Sequence, residues 1–237
     1  MATKFVSNQG MKISYNTPVA EQTASDFKKS AAPAVLQAES LHFQYDSHTL
    51  FANFSASFMP GVTLVCGGSG CGKSTLLRLL AGALPLAAGQ LHINRISLQD
   101  QSAAYRQQVF WIDPRADAFD QHTTLEYFEL QRRTYGGFIQ NQLAALVNGL
   151  GLAPHLSKPL YMLSTGSKRK VWLAAAFASG AAVTLLDEPF AALDTASREF
   201  VMKMLEDAAT HPSRAWVLAD HEAPGEVPLA GTIDLGK

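Results

Sequence analysis

Val62-Thr63-Leu64-Val65-Cys66-Gly67-Gly68-Ser69-Gly70-Cys71-Gly72-Lys73-Ser74-Thr75 decides how the rest of the chain is read. Residues 62–66 form an apolar run short enough for a buried strand, and residues 76–81 read as a helix. Between them the glycines permit positive φ, so the backbone can turn its N–H groups inward and form an anion-binding nest. The helix that starts near Lys73 adds unpaired N–H groups and the positive end of its dipole. G-x-x-x-x-G-K-S between a strand and a helix is a phosphate-binding loop. Gly67, Gly68, Ser69, Gly70, Cys71, Gly72, Lys73, Ser74 and Thr75 would then surround a nucleotide's phosphates. Lys73 can reach the β- and γ-phosphates, and the Ser74 hydroxyl can ligate Mg²⁺.

Outward from this loop, the N-terminal side reads as strands. Leu41, Phe43 and Tyr45 alternate with polar residues, and so do Phe54, Ala56 and Phe58, up to a turn at Pro60-Gly61. Period two marks strands with one buried face, here a β-layer ahead of the loop. Residues 1–33 are polar and aperiodic, with Asn8-Gln9-Gly10, Thr17-Pro18 and Ala31-Ala32-Pro33 among them. They read as a flexible extension without a core of its own.

On the C-terminal side, residues 85–89 read as a loop, 92–99 as a weaker strand-like segment and 109–112 as a short buried strand ending at Asp113-Pro114. Residues 123–133, 139–147 and 168–178 have helical apolar spacing. Then βα alternation returns, with strands at 183–186 and 216–219 around a helix at 196–209. This order gives two lobes, with the phosphate loop in the first.

Two further motifs carry chemistry. Val183-Thr184-Leu185-Leu186-Asp187-Glu188-Pro189 is an apolar strand ending in acids. Asp187 would lie beside the phosphate loop, where it can hold Mg²⁺ directly or through water. Glu188 points elsewhere and could polarise an attacking water as general base. The other motif is Leu163-Ser164-Thr165-Gly166-Ser167-Lys168-Arg169-Lys170.

With these three motifs in order, residues 35–237 resemble the nucleotide-binding subunit of an ATP-binding cassette (ABC) ATPase. Leu163-Ser164-Thr165-Gly166-Ser167 stands where that family has its L-S-G-G-Q signature, departing from it at Thr165 and Ser167. Tyr45 matches the aromatic that stacks on adenine. Ala191-Ala192-Leu193-Asp194 matches the D-loop, and His221 matches the switch histidine that contacts the γ-phosphate.

The resemblance implies an α/β fold: a P-loop NTPase core with an N-terminal antiparallel β-layer and an inserted helical subdomain. The cassette would span residues 34–237, with the subdomain at about 115–178. It implies ATP and Mg²⁺ as ligands, and hydrolysis by Glu188, His221 and Lys73. It also implies a homodimer or paired cassette in which Ser164, Thr165, Gly166 and Ser167 of one copy act on the ATP of the other. A separate transmembrane permease would hold the chain at the cytoplasmic face of the inner membrane. The compact length looks most like the small single-cassette bacterial subunits, including the haem-exporter type. Two rival classes carry the same motifs, a soluble ABC ATPase not linked to transport and a nucleotide-binding switch with little hydrolysis.

One departure stands out. With Thr123 and Glu126 on the family's T-x-x-E segment, Pro114 falls on its Q-loop glutamine, and proline offers neither a Mg²⁺ ligand nor an N–H. Either Asp113 replaces the glutamine, or Gln107 or Gln108 shifts in, or the position is lost. Lys168, Arg169 and Lys170 read mainly as a solvated helix face, with a neighbouring anion as the sharper alternative.

Composition sets the remaining bounds. The chain has 237 residues, 47% of them hydrophobic, with a net charge of −1, so nothing argues for direct nucleic-acid binding. Two cysteines, Cys66 and Cys71, fit no metal-ligand spacing and suggest a reducing compartment. Cys71, beside Lys73 and the helix start, is expected to be the more reactive thiol. No targeting segment is expected at the start of the chain. The longest nearly apolar stretch, 171–186, is shorter than a bilayer span and is interrupted at Ser179-Gly180.

Overall fold

The run from Val62 to Val65 is buried at every position, and the fold covers both of its faces. The computed structural model describes residues 12–14, 33–46, 48–113 and 117–236. Its strands are β1 (Lys12–Ser14), β2 (Leu36–Tyr45), β3 (His48–Phe58), β4 (Gly61–Cys66), β5 (Ala88–Ile93), β6 (Ile96–Ser97), β7 (Val109–Phe110), β8 (Val183–Asp187), β9 (Ala215–Ala219) and β10 (Leu229–Asp234). Its helices are α1 (Lys73–Leu80), α2 (Ser102–Gln107), α3 (Thr124–Thr134), α4 (Gln140–Gly149), α5 (Thr165–Ala178) and α6 (Thr195–Ala209).

The central sheet runs β1-β10-β4-β9-β8-β7, parallel except for β1, which pairs antiparallel with β10. Strand side chains alternate between faces, so each apolar run feeds two cores. Val62, Leu186, Trp216 and Leu218 enter one, with α5, α6 and the helical lobe. Val65, Leu185, Val217 and Ala219 enter the other, with α1 and the second sheet. That second sheet is antiparallel, in the order β3-β2-β5-β6.

Helix α1 packs against β8 and β9, and Leu76, Leu77, Leu79 and Leu80 are all fully buried. Truncating one of them, as in Leu77→Ala, costs about 2–5 kcal/mol through lost burial and the cavity left behind. Helix α6 packs on β4. The helical lobe joins through α5, which contacts α3, α4 and α6.

The elements depart from expectation in a few places. The 92–99 segment is the β5–β6 hairpin, whose turn places Asn94 and Arg95 at φ 47° and 74°. Both left-handed values fit a two-residue hairpin turn. Of the strand expected at 109–112, Val109 and Phe110 alone pair with β8. Strand β10, helix α2 and strand β1 were not expected. The sheet-edge strand β1 lies inside the stretch expected to be a flexible extension, and Pro114 lies outside the described residues. Helix α5 begins three residues earlier than expected, because Ser164 caps it by accepting the Ser167 N–H at 3.1 Å. Thr123 and Glu126 form a reciprocal capping box at the start of α3. Among the described residues, no helix is long and apolar enough to cross a membrane.

Candidate active site

The phosphate loop leaves β4 and closes on Gly72, the N-cap of α1, at φ 103°. Gly67 is equally constrained: at φ 143°, an added Cβ would sit 2.7 Å from the Cys71 Sγ and 2.8 Å from the Gly236 carbonyl. The end of the chain braces the loop, with Gly68 N–H donating to Gly236 O and Leu235 N–H to Cys66 O, each at 2.9 Å. Burial, with the Asp234 carboxylate next in weight, pushes the Cys66 thiol upward. Lys73 is only 7% exposed, and its Nζ donates to the carbonyls of Gly67 at 2.9 Å and Gly68 at 3.0 Å. The first α1 hydrogen bond, Leu76 N–H to Gly72 O, leaves the preceding N–H groups at the helix start.

Strand β8 delivers Asp187 beside this loop, where the Ser74 side chain hydrogen-bonds to its carboxylate. Burial raises the Asp187 carboxyl above its ordinary range, and the Ser74 bond opposes that rise. Asp113 lines the same cleft, of about 450 Å³, together with Tyr45, Ser74, Thr75, Arg78, Trp111, Arg169, Asp187 and Glu188. At its edge, Tyr45 is 45% exposed, its hydroxyl 3.3 Å from the Thr75 Oγ1 and its ring edge-on to Phe43. An exposed aromatic beside a phosphate loop can stack a base.

Glu188 has φ 45°, a left-handed value that costs a non-glycine residue about 1–2 kcal/mol. Its N–H donates to Ala219 O at 2.8 Å, and its Oε1 lies 4.0 Å from the His221 Nε2. Both side chains are about half exposed, and the His221 N–H donates to the Asp220 carboxylate at 2.7 Å.

Ser164, Thr165, Gly166 and Ser167 form the start of α5, the first two exposed and the other two partly buried, and do not line the cleft. The Ser164 hydroxyl also donates to the Ser167 Oγ at 3.0 Å. The three cations that follow are not a solvated face. Lys168 pairs with Asp120 at 2.7 Å, and Lys170 pairs with Asp194. Arg169 Nη1 donates to the carbonyl of Asp187 at 3.1 Å and to that of Glu188. Asp194 also caps α6, accepting the Ser197 N–H at 2.9 Å. Lys170, and then the Ser197 bonds, hold the Asp194 carboxyl well below the usual carboxylate range.

The chain as a whole is similar to known proteins. The family description ABC transporter matches residues 51–191. The chain belongs to the ABC transporter family. A cytochrome c biogenesis ATP-binding export protein, CcmA of Pseudomonas syringae pv. syringae, is 33% identical over 210 residues, spanning 87% of this chain and 97% of that protein. A solved ATP-binding subunit of an ABC transporter superposes with a TM-score of 0.72 at 23% identity, covering 79% of each chain. A dimeric ATP-binding cassette in a post-hydrolysis state, bound to ADP and phosphate, gives 0.65 at 20% identity, covering 79% of this chain and 88% of the other. This chain is accordingly a single-cassette nucleotide-binding subunit and an ATPase.

Within the cassette, sequence reasoning did not assign Arg78, Trp111 or Arg169 to the cleft. Arg78 lies four residues after Ser74 on α1, one helical turn further on the same face, and that spacing was the available signal. Arg169 carried no such signal, because its destination is backbone on a distant strand.

Proposed function

We propose that Lys73, Glu188 and His221 carry out ATP hydrolysis at the cleft, and that Ser74, Asp187 and Asp113 hold Mg²⁺. A second cassette docked head to tail then completes the site. The observation that carries this reading is the division of the machinery. Tyr45, Ser74, Asp187 and Glu188 share one cleft, whereas Ser164 to Ser167, at the start of α5, are not among its lining. A signature outside its own chain's nucleotide cleft is available to a partner's, and the dimeric cassette bound to ADP and phosphate supports that assembly.

The donor set suits the metal. Three oxygen-bearing side chains fit a hard cation, and among the described residues no cluster of three or more His, Cys, Asp or Glu exists to form a complete protein cage. Mg²⁺ typically takes one or two carboxylates and leaves its other positions to phosphate and water. When bound, it neutralises charge on the phosphate oxygens.

The side chains divide the remaining work. Lys73 would exchange two neutral carbonyl partners for phosphate oxygens, and the loop N–H groups would surround the same charge. The Glu188 carboxylate would accept a proton from the attacking water, with His221 beside it toward the γ-phosphate. Tyr45 would offer its ring to the base. Closing and opening of the pair would drive a separate permease, which holds the cassette at the cytoplasmic face of the inner membrane and determines the cargo.

Glu188→Gln tests the core of this reading. Mg-ATP binding should persist, steady-state turnover should fall by about 10²–10⁴-fold, and an ATP-bound dimer should appear on size-exclusion chromatography. Wild-type turnover in the variant would refute the assignment of the base. Affinity purification of the tagged chain from detergent-solubilised membranes checks the partner. Recovery of a multi-span protein supports the permease, and recovery of the cassette alone favours a soluble ATPase.

A further inference from the structure

Arg169 holds neither phosphate nor metal in the proposed mechanism, yet it crosses from α5 to the end of β8. Its Nη1 donates to the carbonyls of both Asp187 and Glu188, and its Nε is buried without a hydrogen-bond partner. The guanidinium is half-buried and lines the nucleotide cleft, with the carboxylates of Asp187, Glu188 and Asp220 as its charged neighbours. We propose that Arg169 is a positioning residue for Glu188: from α5 it fixes the peptide units on either side of the Glu188 Cα and so directs the carboxylate.

The backbone around Glu188 needs such a hold. At φ 45° it occupies a conformation that L side chains rarely adopt, so its surroundings must maintain it. The peptide before it is held at one end by the Glu188 N–H on Ala219 O and at the other by Arg169 on Asp187 O. The peptide after it leads into Pro189 and has no N–H to anchor. Its carbonyl is held by the Ala191 N–H at 3.1 Å and by Arg169.

The same stretch is fastened to α5 at two further points. Lys170 pairs with Asp194, and Gly166 lies so close to Ala192 that an added Cβ would be 2.4 Å from its carbonyl oxygen. The signature turn and residues 187–194 therefore form one unit, and movement of α5 is transmitted to Glu188. Because α5 begins with the residues offered to a partner's nucleotide, engagement there would bear on this chain's own catalytic acid.

This inference rests on Glu188 being the base, and the experiment separates the two claims. ATPase kinetics and ATP binding are measured on the full chain for Arg169→Met and Arg169→Lys. Single-turnover hydrolysis is then measured for Glu188→Gln with and without Arg169→Met. Arg169→Met should lower kcat about tenfold or more while KM for ATP stays within twofold, and Arg169→Lys should recover part of the loss. In the Glu188→Gln background, Arg169→Met should change the residual rate less than twofold, because its effect passes through the missing carboxylate. An unchanged kcat, a tenfold rise in KM at constant kcat, or the same tenfold loss in both backgrounds would overturn the proposal. If Arg169→Met does not fold, Arg169→Lys decides: a kcat reduced at constant KM supports positioning, and a wild-type kcat, with the guanidinium geometry gone, overturns it. Wild-type turnover by Glu188→Gln alone would instead remove the base on which the inference stands.

Discussion

The phosphate loop and the signature turn both begin a helix, but they are held in different ways. The loop is anchored from behind by apolar burial: β4 is sheltered on both faces, four leucines of α1 are fully buried, and Lys73 at the start of that helix is nearly covered. The signature turn is partly exposed, and the first turns of the helix behind it are tied down by charge, through Lys168–Asp120, Arg169 on two carbonyls and Lys170–Asp194, before Val171 and Leu173 to Ala178 enter the core. Burial in a packed core is nondirectional and hard to shift, because cavities are costly. Charge pairs near the surface are individually weak and respond to salt and pH. The difference suits the division of labour. A ground-state nucleotide site benefits from a rigid cradle, whereas a surface that meets and releases a partner benefits from adjustable ties.

Stability measurements test whether the two helix starts differ in this way. Leu77→Ala, in the buried helix behind the loop, should destabilise the cassette by about 2–5 kcal/mol. Lys168→Met, which removes one tie of the signature helix, should cost about 1 kcal/mol or less, and less still at high salt. Equal losses in chemical denaturation would mean that the signature side depends on its charges as heavily as the loop depends on its core. Function sharpens the same contrast. Lys73→Ala should weaken Mg-ATP binding by roughly 10- to 100-fold, the value of a charge-assisted hydrogen bond of about 1.5–3 kcal/mol. Lys168→Met should leave binding to the isolated cassette unchanged. Unaltered nucleotide affinity in Lys73→Ala would show that the loop N–H groups alone hold the phosphates.

The same contrast explains which parts of the fold were legible in the sequence. Residues 62–66, 183–186 and 216–219 announce themselves as nearly continuous apolar runs, interrupted only by Thr63 and Thr184, because a strand buried on both faces leaves little place for polar side chains. The phosphate loop, Asp187 and Glu188 follow at the strand ends, where local spacing determines position. Strand β10 was missed because Leu229–Asp234 has no clean alternation and Gly231 in its middle, and its pairing with β4 supplies what its own pattern lacks. Strand β1 has three residues and no periodicity to detect. Lys168, Arg169 and Lys170 were misread because consecutive cations look solvated, whereas their partners lie 48, 18 to 19 and 24 residues away. Pairings at that range are properties of the folded topology, not of a local pattern.

The tie between Lys170 and Asp194 can be isolated by pH. Asp194 has a depressed carboxyl pKa because of Lys170 first and the Ser197 N–H next. A depressed folded-state value favours the ionised form, so the contribution to stability is present above the unfolded value of about 3.9 and is lost as pH falls below it. Glu126 and Glu129 also have lowered values, the first through its capping bonds to Thr123 and the second, at about 2, through Arg132 and Arg133. Acid destabilisation of the wild type is therefore a sum over several groups, and a difference measurement is needed. Asp194→Asn provides it, since asparagine is as good a helix N-cap as aspartate and keeps an acceptor for the Ser197 N–H while removing the charge that meets Lys170. Melting temperatures of the two proteins should differ modestly at neutral pH and converge as pH falls below about 4, the Asp194 part of the acid slope being absent from the variant. Convergence also requires that Lys170 keep its charge throughout, as an amine does at acid pH. Parallel profiles down to the lowest pH would show that Asp194 acts through its cap alone, and the charged ties at the start of the signature helix would then reduce to those of Lys168 and Arg169.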